Sequence, residues 1–329
     1  MLANVTIAGV ASSIPKKIVT NTELESLVET SDEWITKRTG IRTRHIAVEE
    51  TAVGMATDSA AKALAMSGVP KESIGLIVAC TITGEDLTPS MAGSVQKALD
   101  ISTCTAFDVS AGCTGFIYAL VTAASLMDTL DVETAIVVAS EKMSNYTDWS
   151  DRSTCVLFGD GAGAVVLRRS DTPRVQFPIL NAAPDTGDVI VLKKDARSTP
   201  FAPSDDTKKE YIRMKGADVF TYAVGVLEDT LKRLYALCGD KPFTKVIPHQ
   251  ANEKIIDYVM RTMSMSRDAF FLNIASYANT SSATIPIALC DAWEAGWLRR
   301  GDRVALAGFG SGLTSGGVVI DWDLPDKTK

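Results

Sequence analysis

Only two histidines, His45 and His249, occur in the 329 residues. The six cysteines (80, 104, 113, 155, 238 and 290) include no C-x-x-C pair. A Cys/His structural zinc site is therefore not expected, and no metal is assigned. The cysteines lie in apolar segments rather than in small loops, which fits reduced thiols and not a disulfide scaffold. No apolar run reaches the length of about 18 residues that spans a bilayer, and the first residues carry no basic leader. A soluble, cytoplasmic protein is expected, with no membrane partner. Basic residues are also short: 33 Lys and Arg stand against 40 Asp and Glu, a net charge of −7. That balance argues against a general nucleic-acid binder. Hydrophobic residues make up 46% and charged residues 22%, which is ordinary for a globular chain and too apolar for disorder.

What is present is an alternation of short β-rich runs and helical patterns. The runs include Ile74–Cys80, 135–140, 164–167, Lys245–Pro248 and 303–307. Helical spacing appears over Ala52–Ser67, 113–130 and 217–238. Such alternation predicts layered α/β architecture with buried sheets. The order of elements repeats. Each half runs helix, strand, loop, helix, strand, and then a glycine-rich turn feeding a β-branched strand. An internal duplication is expected, with a half at 1–172, a half at 173–329 and a join near 170–176. Segment 185–210 breaks the rhythm and reads as a surface excursion near a pocket entrance.

Cys113 sits in Asp108-Val-Ser-Ala-Gly-Cys-Thr-Gly-Phe116, between a strand-like run, Thr105–Val109, and a helix pattern. A thiol at a helix N-terminus meets free N–H groups and the positive end of the dipole, which favour thiolate. The plainer reading is a small buried hydrophobe. His249 follows a strand-like run, where α/β proteins place ligands, and could polarise a carbonyl or shuttle a proton. A hydrogen-bonded turn histidine fits the same position. Asn279, in Tyr277-Ala-Asn-Thr-Ser-Ser-Ala-Thr284, reads as a helix cap or as an amide donor to an oxyanion. His45 reads as a surface residue. Gly308-Phe-Gly-Ser-Gly-Leu-Thr-Ser-Gly-Gly317 lacks the Gly-Lys-Ser/Thr of a phosphate loop and leads into a strand. It reads as a tight hairpin or as backbone brought close to a reacting centre.

Taken together, the segments resemble the β-ketoacyl-acyl carrier protein synthase III family of the thiolase superfamily. They are Thr30-Ser-Asp-Glu-Trp-Ile-Thr-Lys-Arg-Thr-Gly-Ile-Arg42, Ala106–Phe116, Phe158-Gly-Asp-Gly-Ala-Gly-Ala164, Pro248-His-Gln-Ala-Asn252, Asn279-Thr-Ser and Gly308-Phe-Gly-Ser-Gly312. The resemblance implies a thiolase-like five-layered αβαβα fold from two duplicated halves, and a homodimer. It implies acylation of Cys113 by acyl-CoA, then decarboxylative Claisen condensation with malonyl-acyl carrier protein. His249 and Asn279 would hold the enolate, and the N–H groups of Cys113 and Ser311 the tetrahedral oxyanion. No cofactor is implied.

The resemblance also carries binding positions. Trp34, Arg38 and Arg152 match the site for the CoA nucleotide. Met214, Gly216, Phe220, Ala251, Asn252 and Ile255 match the pantetheine tunnel. Phe158 and Ile212 match the acyl pocket, which Leu87 of the partner subunit would close, where the family often has an aromatic. Arg213 is a candidate partner for a dicarboxylic primer. Lys254 and Arg261 match carrier-protein docking, while Thr221 and Thr262 replace lysines often found there. These departures, together with the altered glycine-rich turn, motivate a second reading, a specialised relative using another nucleophile or an unusual primer. A non-catalytic subunit is a third, weighed down by the retention of Cys113, His249 and Asn279.

Overall fold

The computed structural model describes residues 2–194, 200–201 and 209–327. Two mixed sheets carry the architecture. The first has five strands in the order Val5–Ser13, Asp160–Arg169, Thr134–Lys142, Ile74–Cys80 and Thr105–Val109. The first two pairings are antiparallel and the last two parallel. The second sheet has four strands in the order Val175–Ala182, Thr314–Asp321, Arg303–Gly310 and Lys245–Pro248. Its pairings run antiparallel, antiparallel and parallel, the same series. A lone parallel bridge from Val246 to Phe270 stands where the first sheet has its fifth strand. The repeat of element order read in the sequence is thus a repeat of topology.

Side-chain alternation along the strands makes five layers. Ile77 and Ala79 turn outward to an alanine face of helix Ala52–Ser67 (Ala52, Ala56, Ala60, Ala63) and to helix Met91–Ala98. Leu76, Val78 and Cys80 turn inward to helices Gly115–Thr129 and Thr284–Glu294. Those two central helices meet Val304, Leu306, Val318 and Ile320 of the second sheet. On its far face, Ala305, Ala307 and Phe309 pack against helices Gly216–Cys238 and Glu253–Thr262. The central helices are apolar nearly all round because both faces are covered by sheet.

Several local expectations shift. The helix expected from residue 113 begins at Gly115, preceded by a 3-10 turn at Gly112–Thr114. The second central helix runs Thr284–Glu294 after a 3-10 turn at Ser281–Ala283. Cys155 ends a short helix, Arg152–Cys155. His45 is in strand Thr43–Ile46 and is only partly exposed, with Nδ1 at 2.6 Å from the Pro15 carbonyl and its ring 5.5 Å from that of Tyr277. Of the excursion at 185–210, residues 195–199 and 202–208 lie outside the described residues. Its described part pairs Ile190–Val191 with Arg213–Met214. No helix among the described residues is long and apolar enough to cross a membrane.

Candidate active site

Cys113 and His249 each follow a strand, and Asn279 follows the short helix Ile274–Tyr277. Thr105–Val109 delivers Cys113, and Lys245–Pro248 delivers His249. Asp108 fixes the approach to Cys113 by accepting the Met91 and Ala92 N–H groups at 2.7 and 2.8 Å, at the start of helix Met91–Ala98. Asn279 is tied into the first half. Its N–H donates to the Leu157 carbonyl at 2.9 Å, and its carbonyl accepts from the Gly159 N–H at 3.2 Å.

Glycines let the turns touch. A Cβ on Gly310 would stand 2.6 Å from the Cys113 nitrogen. Gly112 has φ +53°, and a Cβ there would stand 3.0 Å from the Ser311 nitrogen. Only glycine serves at two such approaches. The Thr314 hydroxyl contacts the carbonyls of Ala111 and Ser311 and the hydroxyl of Thr114, each at 3.0 Å, so it stitches the two turns together. The hairpin reading and the close-approach reading of this glycine-rich segment both hold.

The segment 279–284 links the remaining groups. Asn279 Oδ1 accepts from the Ser281 N–H at 2.8 Å, so the amide presents its NH2 end elsewhere. Asn279 does not cap the central helix, which starts at Thr284 with Ala283 as its first flanking residue. The buried Ser281 hydroxyl faces the Cys113 thiol. Ser282 Oγ donates to Glu141 at 2.6 Å, and Thr284 Oγ1 lies 2.6 Å from His249 Nδ1. Ser281, Ser282, Thr284 and Glu141 were not singled out in the sequence. The Ser/Thr run was read only as capping material, and Glu141 ends an apolar run like any strand terminus.

The electrostatics reverse one expectation. Burial pushes the Cys113 thiol up to about 11, with the nearby Glu141 charge adding to the rise and the Ser281 hydroxyl opposing it. The sequence reading expected a lowered value from a helix N-terminus. The thiol instead sits in the 3-10 turn ahead of the helix, and desolvation outweighs the dipole. Burial likewise pushes His249 down to about 3, so the imidazole is neutral at ordinary pH. Its ring meets Phe309 edge-on at 5.2 Å.

Elsewhere, the guanidinium groups of Arg152 and Arg38 lie 5.0 and 5.7 Å from the centre of the Trp34 ring. Phe158 and Ile212 are buried in one cluster with Met143, packed by Met214. Phe220 meets Tyr258 edge-on, and Ile255 is buried in the outer helical layer. A Cβ on Gly216 would meet nothing within 4 Å, so that helix start borders open space. Asn252 is a helix cap that accepts from the Lys254 N–H at 2.9 Å, and the partly exposed Ala251 precedes it. Lys254 pairs with Asp257 at 3.7 Å, and Arg261 is exposed. Arg213 pairs with Glu210 at 3.1 Å. Leu87 is 73% exposed. Among the described residues, no group of three His, Cys, Asp or Glu side chains could hold a metal ion.

Comparison with known proteins points the same way. Residues 107–183 match the family described as 3-oxoacyl-[acyl-carrier-protein (ACP)] synthase III, and residues 240–322 match its C-terminal part. A β-ketoacyl-[acyl-carrier-protein] synthase III of Aquifex aeolicus is 41% identical over 316 residues, 95% of this chain and 98% of that protein. One from Clostridium beijerinckii is 38% identical over 323 residues, 98% of this chain and all of that protein. The crystal structure of 3-oxoacyl-[acyl-carrier-protein] synthase III from Aquifex aeolicus superposes with a TM-score of 0.88 at 40% identity, covering 97% of this chain and 100% of that one.

Proposed function

The chain belongs to the 3-oxoacyl-[acyl-carrier-protein] synthase III family and is a condensing acyltransferase, and from that premise we propose how its residues divide the work. Acyl-CoA delivers its acyl group to Cys113, and the thiol proton leaves on the CoA sulfur. The exchange balances overall: the thiolate attacks, and the proton that Cys113 gave up ends on the CoA sulfur. Malonyl-acyl carrier protein then loses CO2, and the electron pair passes into a thioester enolate. The enolate carbon attacks the acyl-cysteine. The tetrahedral oxyanion collapses, Cys113 leaves as thiolate, and a 3-oxoacyl-carrier protein is released.

The neutral, buried His249 supports its role as an enolate donor. Thr284 has one hydroxyl proton and two acceptors in reach, His249 Nδ1 at 2.6 Å and the Ser281 carbonyl at 3.1 Å. A donor role to the enolate requires the imidazole proton on Nε2, in which case Nδ1 accepts from the nearer-lying Thr284 hydroxyl. The free NH2 of Asn279 is the second donor. Neutral donors fixed in a dry site stabilise a developing oxyanion without reorganising. The Cys113 and Ser311 N–H groups, on turns that touch, are the donors to the tetrahedral oxyanion.

Trp34, flanked by Arg38 and Arg152, is read as the platform for the CoA adenine. Met214, Gly216, Phe220, Ala251, Asn252 and Ile255 are read as the pantetheine tunnel, and Phe158 and Ile212 as acyl-pocket walls. Lys254 and Arg261 are read as docking points for the acidic carrier protein. A homodimer is supported by strand Thr105–Val109, which pairs on one side only, since a bare edge next to the active site invites a partner. The exposed Leu87 would then reach the partner's acyl pocket. We take residues 1–172 and 173–329 as the two halves, and no cofactor is required by the chemistry. The specialised acyl-transfer alternative is not favoured, because the full-length relatives are condensing enzymes.

The observation that carries this reading is the convergence of Cys113, His249 and Asn279 through segment 279–284. Intact mass after incubation with a panel of acyl-CoAs tests it. An acyl adduct on the wild type and none on Cys113→Ala is expected, followed by a 3-oxoacyl product and CO2 when malonyl-carrier protein is added. An adduct without CO2 release would refute condensation.

A further inference from the structure

Glu141 ends strand Thr134–Lys142, opposite Gly161 on the neighbouring strand, and its exposure is 0%. A carboxyl group so placed is costly unless donors replace its water. Four donors do. The Thr81 hydroxyl lies at 3.2 Å, the Ile82 N–H at 3.1 Å, the Thr83 hydroxyl at 2.6 Å and the Ser282 hydroxyl at 2.6 Å. No cation is among these partners.

Three of the donors form the turn that follows strand Ile74–Cys80, all within the first half. The fourth belongs to the second half and lies 141 residues away in sequence. Ser282 sits in the 3-10 turn Ser281–Ala283, whose first N–H holds Asn279 Oδ1. A rotation that broke the Ser282 bond would carry the Ser281 N–H away from Asn279. The same turn brings the Ser281 hydroxyl to Cys113, and it leads directly to Thr284 beside His249. A Cβ on Gly115 would stand 3.3 Å from the Ser282 Cβ, so the turn also rests on the start of the Cys113 helix.

We propose that Glu141 is a positioning residue for the condensation step: through Ser282 it fixes the 281–283 turn and so aims the Asn279 amide at the enolate oxygen. This rests on the role of Asn279 given above. A plain packing role would lower stability and slow both half-reactions alike. A positioning role slows decarboxylation and spares acylation, because acyl transfer to Cys113 does not use Asn279.

The test compares Glu141→Ala, Glu141→Gln, Ser282→Ala and Asn279→Ala with wild type in two single-turnover assays. One follows acylation of Cys113 by acyl-CoA through intact mass. The other follows CO2 release from malonyl-carrier protein on pre-acylated enzyme. Glu141→Ala and Ser282→Ala are expected to lose about 10²-fold in decarboxylation, the cost of displacing a reacting group by about 1 Å, while Ser282→Ala acylates near the wild-type rate and Glu141→Ala, freed of a charge that holds the Cys113 thiol up, acylates no more slowly. Glu141→Gln keeps an acceptor oxygen for the Ile82 N–H and an amide that can donate to Ser282 Oγ, so it recovers most of the loss. Equal losses in both half-reactions, or wild-type decarboxylation in Ser282→Ala, would overturn the proposal even where Glu141→Ala does not fold. Wild-type decarboxylation in Asn279→Ala would overturn the assigned role of Asn279 itself, and so separates that failure from this one.

Discussion

Thr284→Val tests the orientation of the imidazole. Valine keeps the shape of threonine and removes the hydroxyl 2.6 Å from His249 Nδ1. In a site with no water to replace it, the bare ring nitrogen costs about 1–3 kcal/mol. At 1.4 kcal/mol per tenfold, that is roughly a 5- to 150-fold shift away from the tautomer that carries its proton on Nε2. The Nε2 proton is used on the enolate, not on the acyl-enzyme. CO2 release from malonyl-carrier protein on pre-acylated enzyme should therefore fall by roughly 5- to 150-fold, its upper end reaching the about 10²–10³ lost with a whole oxyanion donor. Acylation of Cys113, followed by intact mass, should keep its wild-type rate. Thr284→Ser retains the hydroxyl and should restore decarboxylation. The Ser281 carbonyl also loses its contact with the hydroxyl in the valine variant, and the serine control covers that effect too. Decarboxylation at the wild-type rate in Thr284→Val, or an equal loss of acylation, would refute the argument.

The resting thiol should behave as burial dictates. With Cys113 pushed up to about 11, its alkylation by iodoacetamide should climb about tenfold per pH unit from pH 7 to 10, because only the thiolate reacts. A plateau at or below pH 9 would mean that the helix N-terminus wins over desolvation. Trp34→Ala should raise KM for acyl-CoA by roughly 5- to 150-fold, the worth of one base stacked on an aromatic ring, with kcat kept. A short pantetheine thioester without the nucleotide should be used as well as by wild type, and an equal rise in its KM would remove Trp34 from the nucleotide site.

Periodicity carried much of the fold, and local motifs together with the family resemblance singled out Cys113, His249 and Asn279. The alanine face of Ala52–Ser67 and the apolar stripe of the helix ending at Cys238 lie where their helical spacing puts them, because each helix covers one sheet face. Cys113 stands out because small residues follow a strand ahead of it, and His249 because it directly follows one. What stayed hidden acts across the chain. Glu141 looks locally like a charged residue near the end of a strand, and one of the four donors that replace its water, Ser282, comes from the second half. Thr284 looks like helix-start material until Lys245–Pro248 delivers an imidazole to it.

The sign error at Cys113 has the same origin and a consequence for the chemistry. The dipole argument uses only residues adjacent in sequence, whereas burial depends on the whole fold, including the turn at Gly310 and Ser311 that packs on the Cys113 backbone from the other half. The centre that results holds an un-ionised thiol and a neutral imidazole, with Glu141 the nearest charge, its negative end already engaged by four donors. When acyl transfer or decarboxylation begins, the oxyanion that forms is the new charge in a dry site. Donors already aimed at it do not have to abandon water or a counter-ion first, and in low dielectric their stabilisation is at its largest. Burial that makes Cys113 a poor thiolate at rest is therefore the same burial that strengthens every N–H directed at the transition states.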